Sequence, residues 1–219
     1  MRTLLALAAL STTVSPLAGQ SLADMCRGLG ERLTVGQWAE YRMTGPQGQM
    51  QVRFAVVGKE SVAGKDHIWF ELKFASEQGN MIVQALVPQF PYDQSEVQGM
   101  VMKVGDQPAM KMPKSMVMMG QQMQRGGNPG AAMGDVLKKC EAAQTVGRET
   151  IEVPAGRFET LHFRSTDADK GDGWVAENVP LGIVKMTWEA GGGGQMVLLG
   201  HGKDAKSSIT ETPMEMPGR

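Results

Sequence analysis

Few residues in this chain have the types and spacing that chemistry needs. The three histidines, His67, His162 and His201, lie far apart and form no metal-ligand motif. The sequence contains no G-x-S-x-G elbow, no H-E-x-x-H pair and no P-loop. The run Gly191 to Gly194 lacks the helix and lysine of a phosphate cradle, so it reads as a flexible hairpin loop. Asp167-x-Asp169-x-x-Asp172 has the acidic start of a calcium loop. It lacks the glycine and closing glutamate that such a loop uses to turn and to ligate. Nothing here points to a catalytic constellation, a metal site or a cofactor, and an enzyme is not expected.

Two further residue types remain. Cys26 and Cys140 are the two cysteines, and no CxxC redox pair occurs. In an oxidising compartment the simplest reading is one disulfide, Cys26 to Cys140, closing a long loop worth roughly 4–5 kcal/mol in chain entropy. Two unrelated buried thiols are the alternative. Methionine is the compositional anomaly, with 18 in 219 residues and a cluster between Met100 and Met133. Thioethers can ligate cuprous copper, but this stretch carries no histidine and no cysteine beside Met110, Met112, Met116, Met118 and Met119. Methionine also suits apolar surfaces that adapt to varied partners, and it can simply pack a core or lid. All three readings stay open.

The elements that must position these residues begin after an export signal. Met1-Arg2, the apolar run Leu4 to Leu10 and the small-residue stretch Ser21-Leu22-Ala23 have the pattern of a secretory signal peptide over 1–23. Export places the mature chain in the periplasm, and no later segment is long and apolar enough to span a bilayer. The formal net charge of −1 and the scattered Lys and Arg exclude a nucleic-acid or anionic-membrane surface.

From Val35 onward the pattern has period two. Ile68, Phe70, Leu72 and Phe74 alternate with His67, Trp69, Glu71 and Lys73, and Val52, Phe54 and Val56 repeat the device. Gly45-Pro-Gln-Gly48, Gly58 to Gly64, Gly79-Asn80 and Val153-Pro-Ala-Gly-Arg157 supply turn signals. Further strands are expected at Met81–Val87, Met100–Val104, Val146–Val153, Arg157–Arg164, Gly173–Ala176, Gly182–Glu189 and Gln195–Leu199. Short helices are expected at 24–33, 114–124 and 131–142. The fold class is therefore mainly β with an α component: a curled antiparallel sheet, or open half-barrel, of about 9–11 strands with short helices over its concave face. It forms a single domain over 24–202 with a Met-rich insert at 108–134. The charged, polar stretch 203–219 has little to bury and is expected to be a disordered tail.

The runs Val146-Gly-Arg-Glu-Thr-Ile-Glu-Val-Pro-Ala-Gly-Arg-Phe158, Leu161-His-Phe-Arg164, Gly173-Trp-Val175 and Val179-Pro-Leu-Gly-Ile-Val-Lys185 resemble uncharacterised periplasmic proteins. These are relatives of the outer-membrane lipoprotein carrier and receptor superfamily (LolA/LolB-like). Val35-Gly-Gln-Trp-Ala-Glu-Tyr41 and Val57-Gly-Lys-Glu60 extend the likeness over roughly 35–200. The resemblance implies an open barrel whose apolar cavity shelters acyl chains beneath helices, and no residue here is matched to the carriers' functional arginine.

The expected function is a non-catalytic periplasmic binding protein for a lipid or lipoprotein acyl chain. Phe54, Val56, Ile68, Phe70, Leu72 and Phe74 would form its apolar face, and Met112, Met116 and Met119 its lid. The alternatives are a structural subunit docked on a partner protein of the cell envelope and a Met-rich copper-binding protein.

Overall fold

The computed structural model describes residues 33–113 and 143–215, except 47, 78, 91, 93 and 167–169. The strands are β1 (Trp38–Gly45), β2 (Gly48–Val62), β3 (Lys65–Ser76), β4 (Gly79–Val87), β5 (Gly99–Val104) and β6 (Met110–Met112), then β7 (Gln144–Val153), β8 (Gly156–Arg164), β9 (Asp172–Val175), β10 (Ile183–Trp188), β11 (Gly194–Gly202) and β12 (Met214–Glu215). They form one 12-stranded sheet in the order β12-β6-β5-β4-β3-β2-β1-β11-β10-β9-β8-β7. Every pairing is antiparallel except that of β12 with β6. The sheet does not close, since β7 and β12 are its two edges. It curls on itself instead: at the tip of the β7–β8 hairpin, the Ala155 N–H donates to the Leu198 carbonyl of β11 at 3.3 Å.

Turn chemistry sets the register. Gly45 pairs with Gly48, and Val153 pairs with Gly156, whose φ of +127° is accessible to glycine. The expected turn over Gly58 to Gly64 is shorter than that. β2 runs on to Val62 through a bulge between Val56 and Gly58, and the turn itself is Ala63-Gly64, both at positive φ. The bulge lets one long strand bend with the sheet, where a break would have ended it.

Three expectations change. Among the described residues the helical content is two single 3₁₀ turns, Gln94–Glu96 and Ala190–Gly192, so no short helix is seen over the concave face. The helices placed at 24–33, 114–124 and 131–142 fall essentially outside the described residues, as do the signal 1–23, Cys26 and Cys140. The start of the expected insert is not an insert: Ala109 is fully buried and Met110–Met112 is strand β6 of the sheet. Residues 203–215 are not a loose tail. They run back across the outer face of β1 to β6 as a strap and end as β12. Composition misled there because the strap buries one side chain, Ile209, and anchors the rest through hydrogen bonds.

Alternation puts Tyr41, Val52, Phe54, Val56, Phe70 and Leu72 on the inner face, where they form the centre of the main core. Their rings touch in series: Tyr41 to Phe54 at 5.5 Å, Phe54 to Phe70 at 6.1 Å, Phe70 to Phe90 at 4.9 Å and Phe90 to Tyr92 at 4.9 Å. Phe90, Tyr92 and Val97, which follow β4 and precede β5, thus cover the middle of the sheet. Burial drives the Tyr41 phenol far up and the Tyr92 phenol up to about 12, and the Tyr41 hydroxyl donates to the Ile183 carbonyl at 3.0 Å.

Candidate functional site: a methionine-bordered apolar face

Register places the methionines. Met186 opposes Met196, Met196 opposes Met43 and Met43 opposes Met50, a row across β10, β11, β1 and β2. The next row contains Tyr41, Val52, Phe74 and Met81 in direct opposition across β1 to β4. Beyond it Val83 opposes Met102 and Met102 opposes Met110, while Ala85 opposes Met100 and Met100 opposes Met112. Directly opposed residues share a face and touch. The inner face therefore has an aromatic and branched centre bordered on two sides by thioethers.

Met196 is buried, and Met43, Met50, Met81, Met100, Met102, Met112 and Met186 are half-buried against the core. Phe74 and Trp188 join them there. Flexible, polarisable side chains held half-exposed around a rigid apolar centre make a surface that can re-pack around a chain of variable shape.

Phe54, Val56, Ile68, Phe70 and Leu72, singled out from alternation, are brought together, but as packed core. Phe70 is 1% exposed. Phe74 lies at the border, half-buried. Met112 is in sheet strand β6 and not in a lid, because its alternation with Lys111 continues the β5 ladder. Met116 and Met119 lie outside the described residues. The residues missed from the sequence are Met43, Met50, Met81, Met186 and Met196. They are scattered along the chain, and only strand pairing joins them.

A cavity of about 370 Å³ opens at the other end of the curl, near the start of β1. Buried Leu33, Val179, Pro180 and Leu181 form its apolar part, and Gln37, His201 and Lys203 belong to its polar side. Leu181 sits at φ +63° in a turn closed by the Gly182 N–H donating to the Val179 carbonyl at 2.8 Å. Pro180 presets the first turn angle, and leucine occupies the position that usually takes glycine.

The polar groups are structural in their contacts. The Glu71 carboxylate is 1% exposed and accepts hydrogen bonds from Gln84 Nε2 (2.8 Å), the Ser208 N–H (2.9 Å) and Ser208 Oγ (2.7 Å). On the far strands, His162 Nε2 is 2.8 Å from Asp172 Oδ1 and Nδ1 is 2.8 Å from Glu149 Oε1. The ring stacks on Trp174 at 4.5 Å, with Lys185 Nζ 4.9 Å from the indole centroid on the next strand. Partial burial works to raise the Asp172 carboxyl. Hydrogen bonds from His162 and Arg164, with their charges, outweigh it and hold Asp172 below the ordinary carboxylate range.

This ladder ties β7, β8, β9 and β10 together, and it holds neither a nucleophile nor an open ligand position. His67 is buried with Nδ1 3.0 Å from the Lys65 carbonyl, and His201 lies against Phe158. Among the described residues no three His, Cys, Asp or Glu side chains are grouped to hold a metal. Asp167 and Asp169 of the acidic loop lie outside the described residues. No helix among the described residues is long and apolar enough to cross a membrane.

No protein family and no curated protein matches the chain. Solved structures similar to it include a candidate lipoprotein from Parabacteroides distasonis, at 11% identity and TM-score 0.37, covering 77% of this chain and 96% of that one. A candidate exported protein with a YmcC-like fold from Bacteroides fragilis, at 13% identity and TM-score 0.37, covers 78% and 97%. A DUF1329 family protein from Desulfovibrio piger, at 9% identity and TM-score 0.33, covers 87% and 93%.

Proposed function

We propose that the protein is an exported, non-catalytic binding protein of the cell envelope that takes an apolar chain, a lipid or the acyl part of a lipoprotein, at the methionine border of its inner face. The observation that carries this reading is the row Met186–Met196–Met43–Met50, flanked by Phe74 and Met81 of the next row. Apart from the buried Met196, these side chains are apolar, adaptable and half-exposed, whereas the centre of the same face is filled by rings in contact. A chain laid along the border would bury methylenes at about 0.8 kcal/mol each. Native mass spectrometry of the protein purified from its own periplasm tests this. A co-purifying mass matching a lipid or an acylated peptide supports the reading.

The packed ring series favours a second reading, a structural subunit that docks on an envelope partner and encloses nothing. A clean apo mass accompanied by a stoichiometric protein partner would favour it.

A further inference from the structure

We infer that the mature chain self-associates through β7, pairing antiparallel with β7 of a second copy about a two-fold axis at Thr150. The two edges of the sheet are unlike. One is blunted by the three residues of β6 and the two of β12. The other is β7, ten residues long, with no strand on its outer side among the described residues.

The hairpin register decides which backbone groups β7 offers. Val153 pairs with Gly156 across a two-residue turn, so Val153, Ile151 and Glu149 exchange hydrogen bonds with β8. The N–H and C=O groups of Glu152, Thr150 and Arg148 therefore point to the open edge, and their side chains are exposed on one side of the strand.

A two-fold axis between edge strands must run normal to the sheet, so that each residue meets one on its own face. Centred on Thr150, the pairing sets Thr150 against Thr150 and Arg148 against Glu152, twice. All are residues whose backbone groups are open, so the ladder and the charges agree in one register. Centring on Arg148 would oppose two arginines. Centring on Glu149 would oppose two glutamates and set Arg148 against Thr150, and centring on Ile151 would set Glu152 against Thr150. Both keep the ladder but lose the Arg148–Glu152 pairs. Edge charges normally discourage pairing with arbitrary strands. Here their spacing of four makes the strand complementary to itself, which selects a second copy of this chain.

The test is sedimentation velocity of the mature chain over a concentration series. The wild type, Arg148→Glu, Arg148→Glu/Glu152→Arg and Thr150→Pro are compared, with thermal melts checking that each folds. Wild type should dimerise with concentration. Arg148→Glu should weaken the dimer about tenfold or more, because each cross-strand pair turns from attractive to repulsive. The double variant should restore it, and Thr150→Pro, which removes an outward N–H, should abolish it. A wild type that stays monomeric at every soluble concentration overturns the inference. A dimer indifferent to Arg148→Glu and Thr150→Pro overturns it equally.

Discussion

Ser208 Oγ lies 2.7 Å from Glu71 Oε1, although 137 residues separate the two, and this bond fastens the C-terminal strap to the outer face of β3. Around it Gln84 Nε2 donates to both Glu71 and Ser207 Oγ, and Ile209 packs with Ile82, Val101 and Ala109. Farther along, Lys103 Nζ meets Glu211 at 2.5 Å, and the Met214 N–H donates to the Ala109 carbonyl at 2.8 Å. Before it, Trp38 Nε1 donates to Asp204 at 2.7 Å. The strap crosses β1 to β6 and staples the curl from outside.

Ser208→Ala should destabilise the protein by about 1.5–3 kcal/mol, since it removes a hydrogen bond to a buried carboxylate. Glu71→Gln should cost less than Glu71→Ala, because the amide retains an acceptor for the Ser208 N–H. Denaturant melts of the three variants check the order.

Acid should loosen the strap. The Trp38 hydrogen bond holds the Asp204 carboxyl below the ordinary carboxylate range, and the Lys103 hydrogen bond does the same for Glu211. A carboxyl depressed in the folded state contributes stability above its unfolded value and loses it as pH falls through its folded value. Stability should be flat from neutral pH down to about 5 and fall below about 4. The fall should shrink in an Asp204→Asn/Glu211→Gln variant, measured by melting temperature against pH.

At Leu181 two effects oppose one another. Its left-handed backbone costs roughly 1–2 kcal/mol, and truncating a buried leucine costs roughly 2–5 kcal/mol. Burial outweighs strain, so Leu181→Gly and Leu181→Ala should both destabilise. Glycine should nonetheless be the milder by about 1 kcal/mol, because alanine loses the packing and keeps the strain. Chemical denaturation of both variants gives the ranking.

The alternation at Ile68–Phe74 and the Val153–Gly156 hairpin were legible because each depends on a few neighbouring residues. The strap was not, since its anchors to Glu71 and Lys103 are long-range and its composition is polar. The methionine border was hidden for a related reason. Met43, Met186 and Met196 have unremarkable local settings, whereas the methionines that cluster in the sequence lie between Met100 and Met133. His162 also read as isolated, because Glu149 and Asp172 reach it only through pairing of β7, β8 and β9.

The most direct measurement of the central claim is a titration of an environment-sensitive fatty-acid probe against wild type, Met43→Lys/Met50→Lys and Met43→Leu/Met50→Leu, each confirmed folded by its melt. Leucine keeps apolar bulk and removes sulfur, so it separates apolar contact from thioether ligation. Saturable binding at about micromolar affinity is expected for wild type. The leucine variant should retain it and the lysine variant should lose it. A well-folded wild type that binds no probe, or binding that survives both lysines unchanged, would contradict the account.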